Sequence, residues 1–318
     1  ELARLRLVEL LGDGPGPAVA TGFGDVVPPY FSDDAQSIAE AATRPLVDRL
    51  RKRGFDVEAV VRRGDPSEVV LELARRGAKV AAIDVNKAGL AETVTLAGDL
   101  GLQISTHVVN IADREAVAKL PAAIKRKHGQ IDALVNVAGI IHKFKKVNDL
   151  DFSEIERVID VNLWGPINLV KTFLPHLIAR PEAHIANVSS MGGYAPVPGQ
   201  TIYGATKAAV RLLTEGLHSE LMDTSVGVTT IFPGAIATNI SVNSGAATEA
   251  EVAKMSESAA KFPTTPAPVA GAMIVDGIEK NSYHVFIGND AKMMDRLIRL
   301  MPERAAAIIY KQMASLLG

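Results

Sequence analysis

From Lys79 onward the chain alternates short apolar runs with helical patterns, and this alternation constrains the fold more than any other feature. The runs are "KVAAID", "QISTHVV", "IDALVNVAG", "HIANVSS" and "GVTTIFPG", with stretches such as "DREAVAKLPAAIKRKHG" and "SEIERVIDVNLWGPINLVKTFLPHL" between them. Strand and helix in strict turn imply a parallel sheet with helices on both faces. The runs are almost continuously apolar, as strands covered on both sides require. The expected fold is therefore α/β, a Rossmann-like doubly wound parallel sheet, in which ligands gather beyond the carboxyl ends of the strands.

Residues 1 to 70 read differently. "DGPGPAVATGFGDVVPPYF" is rich in Gly and Pro, and "SDDAQSIAEAATRPLVDRLRKRG" suggests a helix capped by Ser32, broken near Pro45 and stopped by Gly54. "FDVEAVV" is a strand candidate, although Asp56 and Glu58 share one face and suit a central buried strand poorly. The next helix is announced by Asp65 as N-cap and Pro66 at its first position. The expected division is 1–70 and 71–318.

Bulk composition narrows the partners. A net charge of −2 over 318 residues, with 22% charged residues, lacks the basic excess that phosphate-backbone binding needs, so nucleic acid is not expected. With no cysteine, disulfides and thiolate chemistry are excluded, which suits the cytoplasm. The seven histidines are scattered, without metal-ligand spacing. No apolar run reaches the roughly 20 residues of a membrane span, and "ELARLRLVELL" lacks a signal-peptide cleavage site. Residue 1 is Glu, so further chain upstream is an expectation.

The strand ends carry the chemistry. In "YGATKAA", Tyr203 and Lys207 stand four apart and share a helix face. Ser190 ends the run "HIANVSS" thirteen residues before Tyr203, Asn162 lies in "VIDVNLWG", "NVAG" spans Asn136 to Gly139, and "PGAIAT" spans Pro233 to Thr238. A phenol is a weak base at pH 7, and a neighbouring ammonium is expected to lower the pKa of Tyr203 toward use as an acid/base. Ser190 can stabilise charge on a substrate oxygen. Each has a plain structural alternative: a half-buried tyrosine beside a solvated lysine, a helix cap at Ser190, a polar packing contact at Asn162.

Together these motifs resemble the short-chain dehydrogenase/reductase family over about residues 71 to 290. The resemblance implies an oxidoreductase passing hydride between NAD and an alcohol or ketone, with Asn162, Ser190, Tyr203 and Lys207 catalytic. It implies cofactor contacts from Asp84, Asn110, Ile111, Asn136, Ala138, Gly139, Tyr203, Lys207, Pro233, Gly234, Ile236 and Thr238. Asp84, closing "KVAAID", should grip the adenosine ribose and repel a 2′-phosphate, which favours NAD over NADP.

The match departs from the family at the phosphate loop. Where Thr-Gly-x-x-x-Gly-x-Gly belongs, the chain has "AVVRRGDP", Ala59 to Pro66, and only Gly64 falls on a glycine position. Asp65 brings negative charge to a helix start that should attract pyrophosphate; Arg62 and Arg63 are the candidate replacements. "AVATGFGD", residues 18 to 25, has glycines, but Pro28 and Pro29 stand where its helix should begin.

The order "VVPPYF", helix, "GFDVEAVVRRGDPSEVVLELA" is similar to the middle of a universal stress protein domain, over about residues 20 to 76. The first strand and loop of the dehydrogenase are thus expected to be replaced by a fused segment that preserves the strand-helix-strand crossover. A catalytically impaired fusion or interaction protein that binds NAD(P) poorly is the alternative function.

Beyond "ATNI", residues 241 to 280 suggest a mobile segment and helix over an apolar substrate cleft, and "HKFKK", His142 to Lys146, a solvated loop. Met293, Met294, Leu297, Ile298 and Met301 recur at helical spacing, for core packing or a contact in a homo-oligomer.

Overall fold

The computed structural model describes residues 4–11, 56–63, 67–238, 240–248 and 264–314, the first two segments as backbone ladder alone. Ser32, Pro45, Gly54, Asp65, Pro66 and the 18–25 loop lie outside the described residues.

Every described strand pairing is parallel. The largest sheet runs in the order β10 (His284–Ile287), β7 (Val226–Pro233), β6 (Ala183–Val188), β5 (Ala133–Asn136). A second ladder joins β3 (Val80–Asp84) to β4 (Ile104–Val108), and short β8 (Ile236–Ala237) pairs with β9 (Thr265–Pro266).

The strand expected at "FDVEAVV" forms. Asp56–Arg63 is β2, and its whole length pairs with β1 (Arg4–Leu11), from Arg4 opposite Asp56 to Leu11 opposite Arg63. Among the described ladders none joins β2 to β3, and none joins β3 to β5.

Helices nevertheless tie β3 and β5 into shared cores. On one side Ala81 and Ile83 of β3 pack against the cluster containing Leu134 of β5 with Leu169, Phe173 and Leu177 of α6 (Gly165–Ile178). On the other, Leu73 of α1 (Ser67–Arg75) packs against both the β5-β6-β7 cluster and the β3-β4 cluster. Ala81, Ile83 and Leu73 are partly buried and each contributes a fraction of the about 1.5–3 kcal/mol of a fully buried large apolar side chain, so packing joins the halves without a ladder. Helix α1 also crosses α9 (Ala267–Glu279) closely, because a Cβ at Gly271 would stand 3.1 Å from the Glu68 backbone. Arg76 bridges the pair, ion-paired to Glu72, Asp276 and Glu279 at 2.9, 2.8 and 2.7 Å.

Local chemistry sets the remaining boundaries. Asn86 caps α2 (Lys87–Ala97) by accepting from Gly89 N. The helix expected across 113–129 divides into α3 (Arg114–Ala118), capped by Asp113, and α4 (Leu120–His128), with Pro121 in its first turn, where a missing N–H is tolerated. Past α8 (Ile240–Asn243), residues 249–263 of the expected segment lie outside the described residues; its described helix beyond them is α9. At the C-terminus, α10 (Asn289–Leu300) packs on α11 (Pro302–Met313) with Met294, Leu297 and Ile298 half-buried and Met293 exposed.

Candidate functional site

Tyr203 and Lys207 project from the first turns of α7 (Thr201–Glu220), and Ser190 stands just beyond the end of β6. Three glycines press them together. A Cβ at Gly193 would lie 2.8 Å from Ser189 Oγ and 3.0 Å from the Lys207 carbonyl, and one at Gly204 would lie 2.9 Å from the Gly192 carbonyl. The turn Met191–Gly193 therefore lies directly on α7. Ser189 locks the contact, donating its Oγ hydrogen to the Lys207 carbonyl at 2.7 Å. Ser190 does cap the turn, accepting from Gly192 N at 3.0 Å, and its hydroxyl also reaches the Tyr203 phenol. The cap and the contact with Tyr203 are thus one arrangement.

Asn162 has no exposed surface and sits in a π turn, Asp160–Trp164, joining α5 (Phe152–Ile159) to α6. The wider turn, a recurrent device at functional sites, presents its side chain to the loop after β5. There Oδ1 accepts from Ile140 N at 2.8 Å, while Nδ2 donates to the Ile140 carbonyl at 2.8 Å and to Thr206 Oγ1 at 3.1 Å. Thr206 in turn donates to the Tyr203 carbonyl at 2.7 Å. Asn162 thereby couples the loop to the helix carrying Tyr203.

Lys207 is buried at 3% exposure, and its Nζ donates to the Val188 carbonyl at 2.9 Å. Burial pushes its pKa down to about 8. The expectation that Lys207 lowers the tyrosine pKa is corrected here. Burial of its surroundings raises Tyr203, opposed only by the Ser190 hydrogen bond, and Lys207 Nζ is 6.0 Å from the ring centroid and committed to Val188. The phenol of this state is a proton donor.

The expected cofactor residues are placed unevenly. Gly139 runs against the lysine, since a Cβ there would approach Nζ to 2.9 Å, and Ala138 beside it is exposed. Asp84 is exposed at the end of β3, where Oδ1 accepts from Asn86 N at 2.8 Å. The Asn110 side chain closes its own turn on Ala112 N at 3.0 Å; Ile111 is buried in the core, its carbonyl bound by Asn168 at 3.1 Å. Asn136 turns inward, donating to Asn187 at 2.7 Å, with no hydrogen-bond partner on its Oδ1 among the described residues. Pro233, Gly234, Ile236 and Thr238 are half-buried at the end of β7, in a loop held by Asp290, whose Oδ2 accepts from Ala235 N at 2.7 Å.

Sequence reasoning missed Ser189, Thr206 and Asp290. The first two could have been found as hydroxyls beside Ser190 and Lys207; Asp290, 55 residues from its partner, left no local signal. The reading of His142 to Lys146 as a solvated loop holds for Lys143 and Lys146, which are exposed, and is corrected for His142, which has 0% exposure. Its ring lies beneath the loop, with Nδ1 2.7 Å from the Lys143 carbonyl.

The parallel α/β framework thus carries Ser190, Tyr203, Lys207 and Asn162 close together beyond its strand ends. Residues 62–249 match the short chain dehydrogenase family, so the chain belongs to it. It is 38% identical over 236 residues to the SadH oxidoreductase of Mycobacterium tuberculosis, covering 73% of this chain and 85% of that protein. Dehydrogenase/reductase SDR family member 7B of Rattus norvegicus is 30% identical, with 85% of each covered. Among solved structures, a short chain dehydrogenase/reductase from Burkholderia phymatum in complex with NAD superposes with TM-score 0.68 at 22% identity, over 76% of this chain and 90% of that one. A serine dehydrogenase complexed with NADP+ gives 0.63 at 24%, over 70% and 89%. These two likenesses bear on the fold.

Proposed function

We propose that the protein interconverts an alcohol and a ketone with NAD as hydride carrier, Tyr203 serving as acid and base. One observation carries this reading: Ser190, Tyr203, Lys207 and Asn162, drawn from three separate elements, are tied into one hydrogen-bonded cluster by contacts that glycine alone permits.

Bound NAD supplies the hydride acceptor, and NADH the donor. Gly139, Lys207 and the Ile236–Thr238 loop would hold its nicotinamide end, and Asp84, whose carboxylate has acceptor capacity beyond its bond to Asn86, would hold its adenosine ribose. A carboxylate at that point repels a 2′-phosphate, which supports NAD over NADP. For the pyrophosphate, Arg62 and Arg63 end β2 and are the charged donors nearest in sequence to the start of α1.

In the reducing direction Ser190 holds the ketone oxygen and Tyr203 gives it a proton. The raised phenol pKa keeps that proton in place until the oxygen becomes basic. In the oxidising direction Tyr203 takes the proton back through the same bond. Lys207, fixed by the Val188 carbonyl, would hold the nicotinamide ribose of the cofactor. Residues 1–70 are a separate segment joined at α1, consistent with β2 keeping its own ladder to β1.

Tyr203→Phe removes only the hydroxyl. It should lower kcat at least about 100-fold, the scale of positioned acid/base catalysis, with folding intact by circular dichroism. Unchanged turnover in that variant would remove Tyr203 from the mechanism.

A further inference from the structure

The chain that leaves β7 is fastened to the opposite side of the strand ends through Ser244. Because β7, β6 and β5 are parallel neighbours in that order, their carboxyl ends lie along one edge, and Ser190 stands beyond the middle one. The chain runs from Pro233 through β8 into α8, and then meets the loop after β5, where Ile141 N donates to Ser244 Oγ at 3.0 Å. From the end of β7 to that loop the path covers two strand spacings, about 10 Å, and it passes the strand end that carries Ser190.

Ser244 is gripped from two directions. It is 3% exposed; its hydroxyl accepts from Ile141 N, and its carbonyl accepts from Arg157 Nη2 at 3.1 Å. The backbone bonds of its neighbours stay inside the segment, with Ser244 N donating to Ile240, Gly245 N to Val242, and Ala246 N and Ala247 N to Ser241. Among the described residues, Ser244 is thus the one residue of 240–247 hydrogen-bonded to the rest of the chain. Arg157 has no ion pair among the described residues, so its guanidinium is given to this neutral carbonyl. A bond from a charged donor is roughly twice as strong as a neutral one.

Both partners belong to the framework of the catalytic cluster. Ile141 follows Ile140, whose N–H and carbonyl are bound by Asn162, and Gly139, which lies against Lys207 Nζ. Arg157 is on α5, which runs into the π turn of Asn162. The Ile236–Thr238 loop is therefore held on both sides: Asp290 grips Ala235 before it, and Ser244 anchors the chain after it.

We propose that Ser244 and Arg157 are positioning residues that keep residues 240–247 across the strand ends and so retain the nicotinamide end of the bound cofactor. This rests on the dehydrogenase reading for its link to the cofactor, but not for the fastening itself.

The test uses the whole chain and two readouts. Hydrogen exchange read by mass spectrometry follows the amides of 240–247 without cofactor, and stopped-flow fluorescence follows the release of NADH. Ser244→Ala removes the hydroxyl bond; Arg157→Met, at an exposed position, removes the other and is the second variant should the first fail to fold. Each should speed exchange across 240–247 about fivefold, the factor that one lost hydrogen bond supplies, with α7 unchanged. Each should also raise the NADH dissociation rate about fivefold, and Ser244→Thr, which keeps the hydroxyl, should restore both readouts to within about twofold of the unmodified chain. Unchanged exchange in both variants would overturn the fastening. Faster exchange with unchanged NADH release would make these bonds purely structural and overturn the positioning role. If the unmodified chain binds no NADH at millimolar concentration, the dehydrogenase reading falls and the positioning role with it, while faster exchange in the variants still upholds the fastening.

Discussion

Replacing Asn162 by alanine tests whether this side chain is the strut between the loop after β5 and the helix of Tyr203. Three bonds disappear: from Ile140 N and to the Ile140 carbonyl, both at 2.8 Å, and to Thr206 Oγ1 at 3.1 Å. A buried donor or acceptor left without a partner costs about 1–3 kcal/mol. Ile140 is half-buried, so water recovers part of its two bonds, and the lower part of the summed range applies, about 2–3 kcal/mol. For a chain of 318 residues that corresponds to a fall in Tm of about 3–5 °C. Thr206→Val removes two bonds, the one from Asn162 Nδ2 and the one to the Tyr203 carbonyl, and should cost about 1–2 kcal/mol. Urea unfolding of the three proteins, followed by circular dichroism, reads both values from the shift in midpoint at constant slope. If Asn162→Ala loses less than about 1 kcal/mol, Asn162 is not the strut, and the Ile140 loop is held by other contacts.

Other perturbations reach the rest of the cluster. Gly193→Ala drives a methyl against Ser189 Oγ and the Lys207 backbone, so it should cost about 1–3 kcal/mol and reduce kcat more than tenfold; full activity would show that the turn and α7 can part without consequence. The Lys207 pKa lies at about 8 in the folded protein against 10.5 for a free lysine, so the penalty for burying its charge is in full force below pH 8 and lifts as pH rises toward 10.5. Lys207→Met should therefore gain most on the parent in stability below pH 8, with the difference shrinking by pH 10; a constant difference from pH 7 to 10 would mean that the folded pKa is not depressed. Asp290→Ala removes the brace on Ala235 N and should raise KM for NAD more than it changes kcat, since the loop it holds belongs to the cofactor end. Equal KM values would separate Asp290 from cofactor binding.

Much of the fold was legible because alternation and strand-end motifs are local signals. "KVAAID" ends at Asp84 as a strand should, and Tyr203 and Lys207 share a helix face because a four-residue spacing dictates it. The direction of the Tyr203 shift was not legible. It depends on where Lys207 Nζ points, and that is decided by the Val188 carbonyl, nineteen residues away. His142 looked solvated beside Lys143, Lys145 and Lys146, yet Gln200, 58 residues on, holds its backbone and the ring is buried. The pairing of β2 with β1 was missed for a related reason. Asp56 and Glu58 marked the strand as a poor central one, but a parallel partner 52 residues earlier leaves no trace in a local pattern.

The central claim is that this chain holds a nicotinamide cofactor although its phosphate loop departs from the family pattern. Titrating the purified protein with NADH and with NADPH, while following nicotinamide fluorescence, addresses it directly. The account predicts saturable binding of NADH, tighter than NADPH because of Asp84. Absence of binding at millimolar NADH would contradict it, and would leave a dehydrogenase framework that carries its catalytic cluster without the cofactor the reaction requires.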